Sequence, residues 1–215
     1  MKILFVSTEV QPFIKTGGLA DVAYALPKAL KAAGIDVRVI LPKYGDISVD
    51  YTSRMRHLSS YGVNVGWRNQ YCGLEYLEYE EVPVYFIDNE DYFHRNGIAK
   101  DKDGNFFDDN DERGIFYVRS VLETIKKLRW TPDIIHIHGW ISALAPLYLK
   151  KSYASDPFFA NSKIIYSVYN DDFECPIREG FDNRVLFDDI NPEDVELLKG
   201  ELLKTETLNK IAINY

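Results

Sequence analysis

The chain has 215 residues, 27% of them charged and 46% hydrophobic, with a formal net charge of −8. That length suits one α/β domain with a modest insertion, large enough to bury its own core. The acidic balance argues against a nucleic-acid groove, which needs a concentrated basic face, and no apolar run approaches the ~20 residues of a membrane-spanning helix.

The opening run, residues 2–7, is compact and apolar, as a buried parallel strand should be. It lacks the flanks of a signal peptide, so a cytoplasmic protein is expected. A loop at 9–18 leads into a predicted helix over 19–33, closed by Gly34, with Pro27 inside it as an expected kink or loosening. Residues 37–41 read as the next strand, completing a right-handed βαβ unit. Short, aromatic-rich segments at 64–68, 71–78 and 82–88 read as strands or hairpins inserted in the sheet or added to it. A polar loop over 92–111 carries turn signals at Asp103-Gly104 and Asn105.

Helical spacing returns with Ile115, Val118, Leu122 and Ile125. A strand is expected over 133–138, a helix over 142–152 with Pro146 near its first turn, and a strand over 163–168. After an irregular stretch containing Pro176 and Gly180, Asn191-Pro192-Glu193-Asp194 has the residues of a helix start. A last helix is predicted over 206–215. Alternating β and α elements imply a mostly parallel sheet with helices on both faces and a β-hairpin insertion.

Chemistry is suggested first by Lys15-Thr16-Gly17-Gly18, between the first strand and its helix. Paired glycines expose backbone N–H groups, the helix start adds unpaired donors, and Lys15 adds a charge, an arrangement suited to phosphate. On spacing alone a tight turn beside a solvated lysine serves equally, and Asp21 could complement the helix start instead of meeting a ligand. His136 and His138 share one face of a strand. One is expected to face a cleft and the other to pack; no further ligand close in sequence supports a metal. Trp140 could be core or a ring-stacking platform, and the aromatics of 71–92 could pack or offer a stacking surface. Asp108 to Glu112 could be a dipole-compatible helix start, or Asn110 and Arg113 could line the cleft. Asp171, Asp172 and Glu174 are either a solvated loop or a carboxylate group for acid/base work. Cys72 and Cys175 are expected as reduced thiols.

The segment STEVQPFIKTGGLADV, followed by LPKAL and VRVILPKY, resembles the opening of glycogen and starch synthases. FFDDNDERGIFYVRSVLETI, PDIIHIHGWISALAPLYLK and SKIIYSVYN resemble three later segments of that family, so the likeness covers most of the chain. Within the family, the nearest resemblance is to short Bacteroidetes-type members with little or no second domain. The resemblance implies the N-terminal half of a GT-B fold, a Rossmann-like domain that faces a second one across a cleft. Residues 1–215 would be that single domain, stopping before the second.

The resemblance further implies transfer of glucose from ADP-glucose to an α-1,4-glucan with retention. ADP-glucose would be the donor substrate, with no separate cofactor and no metal, and a separate C-terminal half is a possible partner. Lys15, Thr16, Gly17 and Gly18 would meet the donor diphosphate; Asp21, His138, Tyr169 and Asn170 would lie at the reacting sugar. Two positions depart from the family pattern. Gly139 stands where an aspartate usually precedes the tryptophan, and Tyr169 where a histidine is usual. Tyrosine keeps a hydroxyl donor and acceptor but ionises only near pH ~10 and carries no positive charge. The alternative these departures suggest is a non-catalytic glucan-binding or regulatory relative.

Overall fold

The computed structural model describes residues 1–170, 174–200 and 202–215. β1 (Lys2–Ser7) is buried along five of its six residues, so both faces of this strand are covered. α1 (Gly18–Ala32) follows, then β2 (Asp36–Pro42), which pairs parallel to β1 with Lys2 opposite Asp36. Gly34 has φ +83°, as the expected glycine stop requires. α1 runs unbroken through Pro27; the proline ring shares a small apolar recess with Val39, Val82 and Val84, burial that offsets the lost backbone donor.

α2 (Val49–Thr52) precedes β3 (Arg56–Val65), β4 (Arg68–Tyr79) and β5 (Val82–Asp88). The segment 64–68, expected as a strand, instead spans the β3–β4 turn, where Gly66 has φ +55°. β3 begins eight residues earlier than that segment, and its largely exposed edge position gave it little apolar alternation to read. The β3–β4 and β4–β5 pairs are antiparallel, whereas β5 joins β2 in parallel.

α3 (Glu90–Phe93) and α4 (Asn110–Leu128) come next, followed by β6 (Ile134–His138). The helix expected over 142–152 is a 3₁₀ turn (Trp140–Ser142) and then α5 (Ala145–Lys150), with Pro146 in the first turn. β7 (Lys163–Ser167) closes the main sheet. Two three-residue strands that the sequence did not reveal, β8 (Glu174–Pro176) and β9 (Leu202–Lys204), pair antiparallel on either side of α6 (Phe181–Val185) in the chain. The start at Asn191 is real, with its capping box formed, but the helix it opens (Pro192–Leu198) is 3₁₀. α7 (Thr205–Asn214) ends the chain.

The strand order is β3-β4-β5-β2-β1-β6-β7, with five parallel strands from β5 to β7. The order reverses at β1, whose neighbours are β2 on one side and β6 on the other. Ser7 lies opposite His138 in register, so the loops leaving these two strand ends part at that point and open a crevice. Tyr117 of α4 braces the same place: its buried hydroxyl lies 2.8 Å from both the Ser7 and Ile40 carbonyls.

Candidate functional site

A cleft of about 660 Å³ lies at this crevice. The first crossover supplies Thr8, Glu9, Thr16, Gly17 and Gly18. The loop before α4 supplies the wall from Gly97 to Lys100 and Phe106, and the ends of β6 and β7 supply Trp140, Tyr169 and Asn170. Of the residues singled out in the sequence, Thr16, Gly17, Gly18, Tyr169 and Asn170 therefore share one cavity.

Gly17 precedes α1 without a side-chain cap, so no capping side chain takes up the first backbone donors of that helix. An added Cβ would meet only Glu9 Oε1 at 3.7 Å from Gly17, and nothing within 4 Å from Gly18. The two glycines are therefore not forced by packing; they leave the backbone uncovered on the cleft side. Thr16 donates from both its N–H and its hydroxyl to the Glu9 carboxylate, the latter at 2.9 Å.

Lys15 and Asp21 sit outside the lining. The Lys15 ammonium donates to both Asp21 carboxylate oxygens, at 2.7 and 2.8 Å, and the two side chains are about half exposed (46% and 54%). An ion pair this exposed stabilises by at most about 1 kcal/mol, so a competing anion can open it.

His138 lies beneath the cleft and is fully buried. Its Nδ1 is 2.7 Å from the Tyr169 hydroxyl, while its ring stacks on Phe5 and lies 4.0 Å from the ring of His136. Burial, with His136 beside it, pushes the His138 imidazole down to about 3, so it is neutral in ordinary buffers. Nε2 has no partner among the described residues. Neither histidine lines the cleft, contrary to the expectation that one would; His138 instead touches the cleft-lining Tyr169. His136 is likewise held down by burial, with Nε2 2.8 Å from Ser167 Oγ.

Asn110 and Arg113 are both buried and line no part of the cleft; they hold its wall from behind. Asn110 donates to the Ala99 carbonyl at 2.9 Å, and Arg113 donates to Asn110 Oδ1 and the Tyr92 carbonyl at 2.7 Å each. Asp111 and Glu112 do more than complement a helix dipole: Asp111 pairs with Arg184, and Glu112 with Arg68 and Arg178. Trp140 packs on the core and also lines the cleft. Of the aromatics of β4 and β5, Tyr79 and Phe86 pack edge-on to Phe13, whereas Tyr71 is exposed.

Glu174 pairs with Lys204 at 3.0 Å, whereas Asp171 and Asp172 lie outside the described residues. Cys72 and Cys175 are separate buried thiols, both pushed up to about 11 by burial. Among the described residues no group of three or more His, Cys, Asp and Glu is placed to hold a metal, and no helix is long and apolar enough to cross a membrane. Sequence reasoning missed Glu9 and Phe106. An acid two residues past a strand end carries no local sign that its carboxylate turns onto a loop seven positions later.

Comparison with known proteins gives a consistent pattern. A family described as the starch synthase catalytic domain matches residues 2–205. The glycogen synthase of Caldicellulosiruptor saccharolyticus is 50% identical over 170 residues, 79% of this chain and 34% of that protein. The glycogen synthase of Caldicellulosiruptor bescii is 41% identical over 224 aligned positions, covering all of this chain and 46% of that protein. Among solved structures, the catalytic domain of starch synthase IV from Arabidopsis thaliana, bound to ADP and acarbose, superposes with a TM-score of 0.76 at 24% identity. That match covers 98% of this chain and 42% of that one. The chain thus spans less than half the length of the relatives it matches.

Proposed function

The chain belongs to the starch synthase catalytic-domain family, and from that membership we propose that it forms one wall of an ADP-glucose:α-1,4-glucan glucosyltransferase site. In this reading glucose passes to a glucan 4-hydroxyl with retention. The bond from C1 to the diphosphate oxygen breaks, a C1–O4 bond forms on the same face, the acceptor proton goes to the leaving diphosphate, and ADP departs. The carrying observation is the convergence of the Thr16–Gly18 backbone with Tyr169 and Asn170 in one cleft at the sheet's switch point.

The backbone donors of Thr16 to Gly18 receive the diphosphate, and Lys15 leaves Asp21 to add its charge. Asp21, freed of Lys15, turns to the sugar or acceptor side. Asn170 and the Tyr169 hydroxyl orient glucose, with neutral His138 hydrogen-bonded to that hydroxyl. Trp140 offers an apolar face to a sugar ring. No metal or further cofactor enters the reading. One wall leaves the reacting groups open to water, so the opposite wall comes from a second, separate domain. A cytoplasmic location, and ADP as the donor's nucleotide, belong to the same proposal. The curated relatives are named as synthases, which favours transfer over a binding-only role.

Radiolabelled ADP-glucose and glycogen test this, with the chain alone and with a C-terminal synthase half added. Incorporation in the reconstituted mixture, cut at least about tenfold by Lys15→Ala, is the expected result. Incorporation unaffected by Lys15→Ala contradicts the role given to the loop. Glycogen pull-down with no incorporation in any mixture supports the binding-only alternative.

A further inference from the structure

Glu9 is buried, with only 6% of its surface exposed, and it forms no ion pair among the described residues. An uncompensated carboxylate in such a place is costly unless donors surround its charge. Among the described residues its side-chain hydrogen bonds come from Thr16, one from the backbone N–H and one from the hydroxyl. These are charge-assisted bonds, stronger than neutral ones. The same carboxylate reaches Gly17, where Oε1 lies 3.7 Å from the position of an added Cβ. The chain therefore already holds a negative group against the loop whose backbone is turned to the cleft.

We propose that Glu9 is a specificity-determining residue: its carboxylate occupies the Thr16 donors in place of an incoming phosphate, and a phosphate must displace it to bind. This rests on the reading of the Thr16–Gly18 loop as the diphosphate site. A phosphate oxygen and the carboxylate compete for one N–H, and two like charges drawn to one donor repel each other. A neutral hydroxyl placed beside Glu9 meets no such opposition and gains an acceptor. The loop thus discriminates against weakly bound anions such as free phosphate. It yields to a ligand whose remaining contacts, along the wall of Trp140, Tyr169 and Asn170, supply the difference.

Glu9→Gln separates charge from shape. The amide oxygen still accepts from Thr16, so the loop stays ordered, but the negative charge is gone. Calorimetric titration of the whole chain with ADP and with inorganic pyrophosphate is the test. Affinity in Glu9→Gln is expected to rise about tenfold, a change of about 1.4 kcal/mol. Thr16→Val, which deletes the 2.9 Å hydroxyl bond restraining the carboxylate, is expected to tighten binding by a smaller factor. It also serves if Glu9→Gln fails to fold. A merely structural Glu9 would weaken binding when altered, not tighten it.

Wild type and Glu9→Gln binding ADP equally would overturn the inference and leave the loop reading standing. No binding by wild type, Glu9→Gln or Thr16→Val would sink the loop reading and the inference with it. Binding gained only in the variants supports both.

Discussion

At the scale of single residues, charge and burial decide the behaviour of the site. His138 shows it most clearly. Its folded imidazole takes up a proton only near pH 3, because burial opposes the charge and His136 adds repulsion. An unfolded histidine protonates near pH ~6.5. Between these values the unfolded chain binds more protons, so stability rises with pH. The contribution is complete above about pH 6.5 and is lost as pH falls toward 3. Urea unfolding at stepped pH should show this slope, and His138→Gln should flatten it while His136 leaves a residue of it. An unchanged slope in the variant would mean that His138 is not the buried neutral base described. Lys15 and Asp21 give the opposite lesson, because their half-exposed pair is too weak to lock the loop.

At the scale of elements, the turn from β6 into the 3₁₀ helix accounts for the glycine at position 139. Gly139 has φ +84° and ψ 156°, a region open essentially to glycine alone. A Cβ there would come within 2.4 Å of Thr8 Oγ1 and 3.1 Å of Leu19 Cδ1. In this chain position 139 accepts no side chain without strain, and the glycine lets the β6 end approach the first crossover closely. Gly34 also has positive φ, but open space surrounds it. Gly139→Ala should therefore cost about 2–3 kcal/mol, against roughly 1 kcal/mol for Gly34→Ala. Urea midpoints compare the two; equal losses would show that the contact with Thr8 carries no weight.

How far each element was legible follows from how local its cause is. β1 and the α1 stop were readable because an apolar run and a glycine stop declare themselves within a few residues. β3 was not, since an edge strand exposed along most of its length has no buried face to impose alternation. The five cleft residues of the KTGG loop and the β7 end were found, but their division was not: the Lys15–Asp21 pair and the Glu9–Thr16 contact depend on how an irregular loop folds back. β8 and β9, with more than twenty residues between them, had no local signal.

At the scale of the whole molecule, one network ties the peripheral elements to the cleft's support. Asp111 and Glu112 at the start of α4 gather Arg68 from β4, Arg178 from the loop before α6, and Arg184 from α6. Burial raises the Asp111 carboxyl even with Arg184 against it, so this pairing depends on an intact fold around it. The same helix start holds the Ala99 wall through Asn110. Fold and cleft are thus coupled, with the sheet's switch point fixing where they meet.

The most direct measurement is a titration of the isotope-labelled chain with ADP-glucose, followed by the backbone amide resonances of residues 15–21 and 168–170. The expected result is saturable shifts concentrated at Thr16, Gly17, Gly18 and Asn170, lost or much weakened in Lys15→Ala. Saturable shifts confined to another surface, such as the recess bounded by Lys43, Asp88 and His94, or no saturable shift at Thr16–Gly18, would contradict it.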